Sequence, residues 1–285
     1  MMVRIVWSNR QYEAEEYISS EVGGRSCFFE ISTDKLGEGG NAVVHRCYDR
    51  NSGEDFAIKI QMNSRKSLRF LKEVAVLKNS SHPQLMSCVA SGELALNGCC
   101  HKCPYVIMPL AERNLGEYYR TLSAPLPIEQ LLGHFRGLSE ALAVLHRSAI
   151  HRDIKPENIL IKGESWILSD FGLCKFTDQK EDGVDITGAR ERLGPKYWFS
   201  PEEMDRVLGL SVDISKASDV FQLASVFWYV ATKRHPTGIL TEDDWTGPSS
   251  VFKVLESALM HDVRLRPQDG AEFSRQIDRA ILEGT

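Results

Sequence analysis

The sequence predicts an α+β chain of two unequal lobes: a small β-rich first lobe with one main helix and a larger, mostly helical second lobe. Three observations carry this. From Cys27 to Met108 the apolar residues come in short runs separated by turn residues. Within that region Ser67 to Asn79 alone carries helical spacing. After Ala111 the apolar residues form long amphipathic or uniformly apolar stretches, which places the join near Pro109-Leu110-Ala111.

The elements follow in order. Cys27–Ile31, Ala42–Tyr48 and Phe56–Ile60 are expected strands, with Asn51-Ser52-Gly53-Glu54 a hairpin connection between the last two. Leu68, Leu71, Val74, Ala75 and Val76 supply the helical spacing of the following segment. Strand character returns over Met86–Leu96 and Tyr105–Met108. Asn114 and Glu117 form a capping-box-like pair at a helix start. From Ile128 onward, Leu131, Leu132, Phe135, Leu138, Leu142 and Leu145 make one amphipathic stripe. Val220–Ala231, interrupted by Gln222 and Ser225, reads as a buried helix about half the ~20 residues that a membrane span needs.

Composition narrows the class. With 285 residues, 42% hydrophobic and 26% charged, the chain is too apolar for a disordered tail and long enough to bury a core without staples. Its 34 Lys+Arg against 39 Asp+Glu give a formal charge of −5, which argues against a nucleic-acid partner. Seven cysteines, odd in number and unevenly spread, make no disulfide framework and fit a reducing, cytoplasmic setting. Met1–Arg10 has no apolar leader core.

Four motifs carry chemistry. Leu36-Gly37-Glu38-Gly39-Gly40-Asn41-Ala42 lies between two expected strands, where backbone N–H groups can approach a polyphosphate because no Cβ intervenes. A strand rather than a helix follows, which disfavours a dinucleotide fold. Lys59 stands on a strand, and Glu73 is the only acidic residue between it and Glu93. A Lys–Glu pair would hold the ammonium toward phosphate oxygens. His151-Arg152-Asp153-Ile154-Lys155-Pro156-Glu157-Asn158 is followed, twelve residues after Asn158, by Asp170-Phe171-Gly172. Phosphoryl transfer needs a carboxylate near the attacking hydroxyl, oxygen ligands for Mg2+ and a cation near the migrating group; Asp153, Asn158, Asp170 and Lys155 supply all four groups.

On these motifs the chain resembles a Hanks-type (eukaryotic-like) serine/threonine protein kinase over roughly residues 30–280. The resemblance implies the bilobal protein-kinase fold, with residues 1–29 an N-terminal extension, 30–108 the first lobe and 109–285 the hinge and second lobe. It implies transfer of the γ-phosphate of ATP to Ser/Thr hydroxyls of protein substrates, with autophosphorylation. Mg2+ is the expected metal, with Mn2+ as a substitute. A nucleotide-binding pseudokinase or a small-molecule phosphotransferase are the alternative readings. Asp153 matches the catalytic base, Lys155 its companion cation, Lys59 and Glu73 the phosphate-holding pair, and Asn158 and Asp170 the metal ligands. Gly37 and Gly39 match the loop glycines, Gly40 lies beside them, and Ala42 occupies the third glycine position. Met108 matches the gatekeeper. Adenine would lie between Leu36, Val44 and Ala57 on one side and Leu160 on the other, with the Pro109 carbonyl and the Ala111 N–H reading its edge. Leu77, Cys88, His151 and Phe171 match a stacked hydrophobic spine. Lys155 implies Ser/Thr rather than Tyr acceptors, and Arg266 is the implied ion-pair partner of Glu202.

The chain departs from the family at several points. Ser200-Pro201-Glu202 stands where Ala-Pro-Glu is usual, and Gly194-Pro195 where a Thr follows the glycine. Glu191 occupies a position often held by a phosphorylated Thr. It reads either as a permanent partner for Arg152 or as an exposed loop residue. Thr177 and Thr187 are candidate autophosphorylation positions. Cys99-Cys100-His101-Lys102-Cys103 invites a zinc reading, but the cluster is tight for an ordinary knuckle, which wants paired Cys-x2-4-Cys elements, and no second pair is obvious, so turn cysteines without metal are expected. In the N-terminal piece, Val3–Trp7 is expected to add a strand and Glu13–Ser20 to be a polar connector.

Overall fold

The computed structural model describes residues 2–177 and 196–284. Glu191, Gly194-Pro195 and Thr187 lie outside them. Chain contacts divide the molecule into two units, Met1–Ser81 with Met86–Ala111, and His82–Leu85 with Glu112–Thr285.

The first unit is built from nine strands and one helix: β1 (Met2–Trp7), β2 (Arg10–Glu15), β3 (Tyr17–Val22), β4 (Arg25–Glu38), β5 (Ala42–Asp49), β6 (Asp55–Gln61), α1 (Ser67–Asn79), β7 (Ala90–Leu94), β8 (Leu96–Asn97) and β9 (Cys103–Pro109). Six of them form a sheet in the order β3-β4-β5-β6-β9-β7; β1, β2 and β8 form a smaller one. All pairings are antiparallel. The β1–β2 link is a two-residue turn with positive φ at both Ser8 and Asn9, the turn that matches strand twist in a hairpin.

Register decides what each face of the large sheet does, because directly opposed residues share a face and neighbours alternate. Val43, Cys47, Phe56, Ile58, Ile60, Tyr105 and Ile107 point to one face, and Val3, Ile5, Ala14 and Ile18 of the N-terminal strands join them in one core. Full burial of Ile58 and Ile60 contributes roughly 1.5–3 kcal/mol each. The opposite face carries Gly37, Val44, Lys59 and Val106 in one row and Arg46, Ala57 and Met108 in the next.

One expectation is corrected here. Glu13–Ser20 is no connector: its residues lie in β2 and β3, where Ala14 and Ile18 are buried while their neighbours face outward. The helix over Ser67–Asn79 forms, but Leu68 and Leu71 are 60% and 54% exposed, and Phe70, Glu73, Val74 and Leu77 face inward. The helix packs on β9 through the face that carries Glu73, where Phe70, Val74 and Leu77 are buried and Glu73 meets Lys59.

The second unit comprises β10 (Arg113–Asn114), α2 (Leu115–Thr121), α3 (Ile128–Leu145), β11 (Ala149–Ile150), β12 (Ile159–Lys162), β13 (Ser165–Leu168), β14 (Lys175–Phe176), α4 (Pro201–Val207), α5 (Lys216–Thr232), α6 (Ser249–Ala258) and α7 (Gly270–Gly284). The Asn114–Glu117 capping box forms at α2, and all six stripe residues of α3 are buried. Phe135 of α3 stacks on Phe227 of α5 at 4.1 Å, and Phe273 of α7 follows at 6.1 Å. Gly270 is needed where α7 meets α3, since a Cβ there would lie 2.6 Å from the Leu142–Ala143 backbone.

Candidate active site

In the first unit β4 and β5 flank the glycine-rich turn. Gly37 pairs with Val44, Glu38 with Val43, and the Gly39 N–H donates to the Ala42 carbonyl at 2.9 Å. A Cβ added at Gly37 or Gly40 would meet no atom within 4 Å, and neither residue has positive φ. The fold therefore demands glycine at neither position, and the bare backbone leaves room for close approach by another group. Asn41 ties the turn to the end of β6, its carbonyl accepting from the Met62 and Asn63 N–H groups.

Two contacts to this turn come from residues that sequence reasoning passed over. Trp7 donates its indole N–H to the Gly39 carbonyl at 3.1 Å, and the Ser8 N–H donates to Glu38 Oε1 at 2.7 Å. Lys35 holds the other Glu38 oxygen at 2.9 Å. Hydrogen bonds from Lys35 and then Ser8 place the Glu38 carboxyl below its ordinary range. No local pattern links residues thirty apart; only the β1–β2 hairpin brings them together.

Lys59 and Glu73 meet at 2.6 Å, with side chains 18% and 5% exposed. On the same sheet face Val44 and Met108 are half-buried and Ala57 is buried, while Leu36 is 41% exposed. Pro109 and Ala111, at the end of the first unit, are half-buried. The Cys88 N–H donates to the Leu77 carbonyl at 3.2 Å.

In the second unit, the twelve-residue spacing from Asn158 to Asp170 is a hairpin. Strands β12 and β13 pair Ile159 with Leu168, and Gly163 turns the chain at φ 57°. The Ser169 N–H and hydroxyl both donate to the Asn158 carbonyl at 2.9 Å, so Asp170 returns beside the segment it left. Leu160, on β12, is half-buried. Asp170 is exposed and left-handed, at φ 58°, and immediately precedes the 3-10 turn Phe171–Leu173. Arg152 is also left-handed, at φ 69°. A non-glycine residue in that region costs on the order of 1 kcal/mol, and both flank this loop.

Asp153 gathers the loop. Its Oδ2 accepts from Lys155 Nζ at 2.9 Å and from Asn158 Nδ2 at 2.9 Å, while Asn158 Nδ2 also donates to the Asp153 carbonyl at 2.8 Å. With its amide nitrogen committed to Asp153, Asn158 offers Oδ1 as a ligand atom. An amide oxygen and the Asp170 carboxylate are hard donors, the kind Mg2+ takes. The donor set therefore fits a divalent metal.

Helix α5 braces the loop from behind. Asp219, fully buried, accepts from the His151 N–H at 2.6 Å, the Arg152 N–H at 2.7 Å and His146 Nε2 at 2.9 Å. The Gly270 N–H donates to His146 Nδ1 at 2.8 Å, which puts the ring proton on Nε2 for Asp219. One turn along α5, Gln222 accepts from the Ile154 N–H at 2.8 Å and donates to Glu203 at 2.6 Å. The polar residue that interrupts the apolar run is thus a loop support. His151 Nε2 lies 3.1 Å from the Ser169 carbonyl, and its ring meets Phe171 edge-on at 5.4 Å.

Glu202 pairs with Arg266 through contacts of 2.8 and 3.0 Å, as the sequence implied, and accepts from Ser218 at 2.6 Å. Burial alone would raise its carboxyl, but the hydrogen bonds from Arg266 and Ser218 outweigh it and hold the group below its ordinary range. Thr177 donates its hydroxyl to the Ser148 carbonyl at 3.2 Å.

The fold and these two sets of residues define a phosphotransferase-type chain. Residues 31–272 match the protein kinase domain, and the chain belongs to that family. It is 32% identical over 212 residues to a Dictyostelium discoideum protein named "Probable serine/threonine-protein kinase", covering 70% of this chain and 12% of that one. It is 28% identical over 211 residues to the serine/threonine-protein kinase PknB of Mycobacterium leprae, covering 71% and 32%. With the phosphorylase b kinase gamma catalytic chain (liver/testis isoform) of Mus musculus it shares 32% identity over 195 residues, covering 64% and 47%. The chain thus spans less than half the length of these relatives. Among the described residues no helix is long and apolar enough to cross a membrane.

Proposed function

We propose that the chain is a serine/threonine protein kinase that transfers the γ-phosphate of ATP to protein hydroxyls, itself included, with Mg2+ as metal and Mn2+ as a substitute. The observation that carries this is the Asp153 carboxylate, held by Lys155 and Asn158 at 2.9 Å each on a loop whose hairpin returns Asp170 beside it. Asp153 orients the acceptor hydroxyl and takes its proton as the new O–P bond forms. Lys155 steadies the γ-phosphate, and Lys59, fixed by Glu73, holds the α- and β-phosphates. Asn158 and Asp170 would hold the divalent ion, which when bound neutralises charge on the phosphates. Backbone groups from Gly37 through Gly39 and Gly40 to Ala42 cover the phosphates. Leu36, Val44, Ala57, Met108 and Leu160 take the adenine, read by the Pro109 carbonyl and the Ala111 N–H. Seven free cysteines support a reducing, cytoplasmic setting.

The test is incubation with γ-labelled ATP and Mg2+ beside protein, sugar and antibiotic acceptors. The reading predicts label on Ser or Thr of protein, including the chain itself. Label on a small molecule alone would make it a small-molecule phosphotransferase. Nucleotide binding with no transfer would make it a pseudokinase.

A further inference from the structure

The connection between β7 and β9 carries a side-chain cluster that phosphoryl transfer does not use. Leu94 pairs with Cys103, which opens β9, and the chain between them detours through β8 to pair with β2. Gly98, at φ 89°, then turns the chain so that the Cys99 N–H donates to the Leu96 carbonyl at 3.0 Å. The turn brings Cys99 back over Cys103, with His101 between them. Cys103 is fully buried, Cys99 and His101 are half-buried, and Cys99 packs on the core of this unit.

Three ligand atoms converge there. The sulfurs of Cys99 and Cys103 are 3.8 Å apart, and His101 Nε2 lies 3.7 Å from the first and 3.9 Å from the second. A tetrahedral zinc ion, with Zn–S about 2.3 Å and Zn–N about 2.0–2.1 Å, requires ligand-to-ligand edges of about 3.8 Å for S···S and about 3.6 Å for S···N. The observed triangle therefore has nearly the dimensions of one face of such a tetrahedron. A disulfide would need the sulfurs at about 2.05 Å, and all seven cysteines are free.

We propose that Cys99, His101 and Cys103 form a zinc site, reversing the expectation of metal-free turn cysteines. The tight sequence spacing argues against a paired knuckle. Cys99 and Cys103, however, themselves stand at Cys-x3-Cys spacing, the first fixed by the Gly98 turn and the second by sheet pairing, and His101 between them supplies the third ligand in place of a second pair. Two thiolates and an imidazole select zinc over the hard Mg2+ of the catalytic reaction. Water would supply the fourth ligand. Cys100, exposed on the same turn with its sulfur 3.8 Å from His101 Nδ1, stands outside the three-residue set. The ion would staple the β7–β9 connection, and through β8 the N-terminal strands, to the large sheet.

The test uses the full chain without a His-tag. After growth in zinc-supplemented medium and dialysis, metal analysis is expected to give close to one zinc per chain. Chelator-treated protein titrated with Co2+ is expected to saturate at one equivalent, with thiolate-to-cobalt charge transfer and tetrahedral visible bands. Zinc should bind with a Kd of about 1 µM or tighter. Cys99→Ser or His101→Ala should weaken cobalt binding at least about 10-fold, and Cys100→Ser should leave it unchanged. The wild-type titration stands even where a variant fails to fold. A sub-stoichiometric zinc content with no cobalt bands in the fully reduced protein overturns the proposal. Loss of binding in Cys100→Ser overturns the three-residue assignment.

Discussion

The two functional regions are held in different ways. Lys59 and Glu73 meet side chain to side chain, a strand against a helix, on a sheet face separate from the core of their unit. The Asp153 loop is held at successive backbone positions: His151 and Arg152 by Asp219, Ile154 by Gln222, and Asn158 by the hairpin that carries Asp170. The loop's geometry is therefore part of the folding energy of its unit, whereas the Lys59–Glu73 contact can change without unfolding its sheet. Substitutions in the first region should therefore cost activity, and those behind the second should cost both stability and activity.

The largest separation is expected at Asp219. Asp219→Ala leaves two backbone N–H groups and His146 without their acceptor in the interior, a loss of about 3 kcal/mol or more. Thermal denaturation should show a fall of roughly 6–12 °C, with phosphoryl transfer reduced in the protein that remains folded. Glu73→Gln is the counterpart. A neutral amide oxygen still accepts from Lys59, so stability should change by less than about 1 kcal/mol, while kcat/KM for ATP falls about 10–100-fold. Equal stability losses for the two variants would break the comparison.

Gln222→Leu sharpens it. The change keeps the volume but orphans the Ile154 N–H, at a cost of about 1–3 kcal/mol. Urea denaturation should report that loss, together with a lower kcat and little change in KM for ATP.

A smaller effect lies in pH. Because Glu202 is held below its ordinary value of 4.5, its contribution is present above that value and is lost as the pH falls through the lower folded value. Melting curves from pH 6 downward should show wild type losing stability below about pH 4.5 and Glu202→Gln showing a shallower acid loss. The smallest effect is expected at Trp7. Trp7→Phe removes one hydrogen bond to Gly39 and should raise KM for ATP by a few fold with kcat unchanged.

Much of this was legible in the sequence, for physical reasons that differ by residue. The Asn158–Asp170 spacing was readable because a short hairpin is a local structure, closed by Gly163. The α3 stripe was readable because periodicity alone orients a helix on a core. Helix α1 shows the limit. Leu68 and Leu71 carried its expected spacing, yet Phe70, Val74 and Leu77 face inward with the same period, and only packing decides between two overlapping apolar sets. Gln222 and Trp7 were unreadable for another reason: their partners lie 68 and 32 residues away, so their roles exist only once the helix and the hairpin are packed.

In the proposed mechanism Asp153 serves the acceptor hydroxyl and not the nucleotide. The direct measurement compares wild type with Asp153→Asn in two readouts, labelled-phosphate transfer to protein Ser/Thr and equilibrium binding of ATP with Mg2+. An amide can still accept from Lys155 and Asn158 but cannot take a proton. Transfer should therefore fall about 10²–10⁴-fold, with nucleotide affinity within a few fold of wild type. Transfer at the wild-type rate in Asp153→Asn, or none by wild type under the same conditions, would contradict the account.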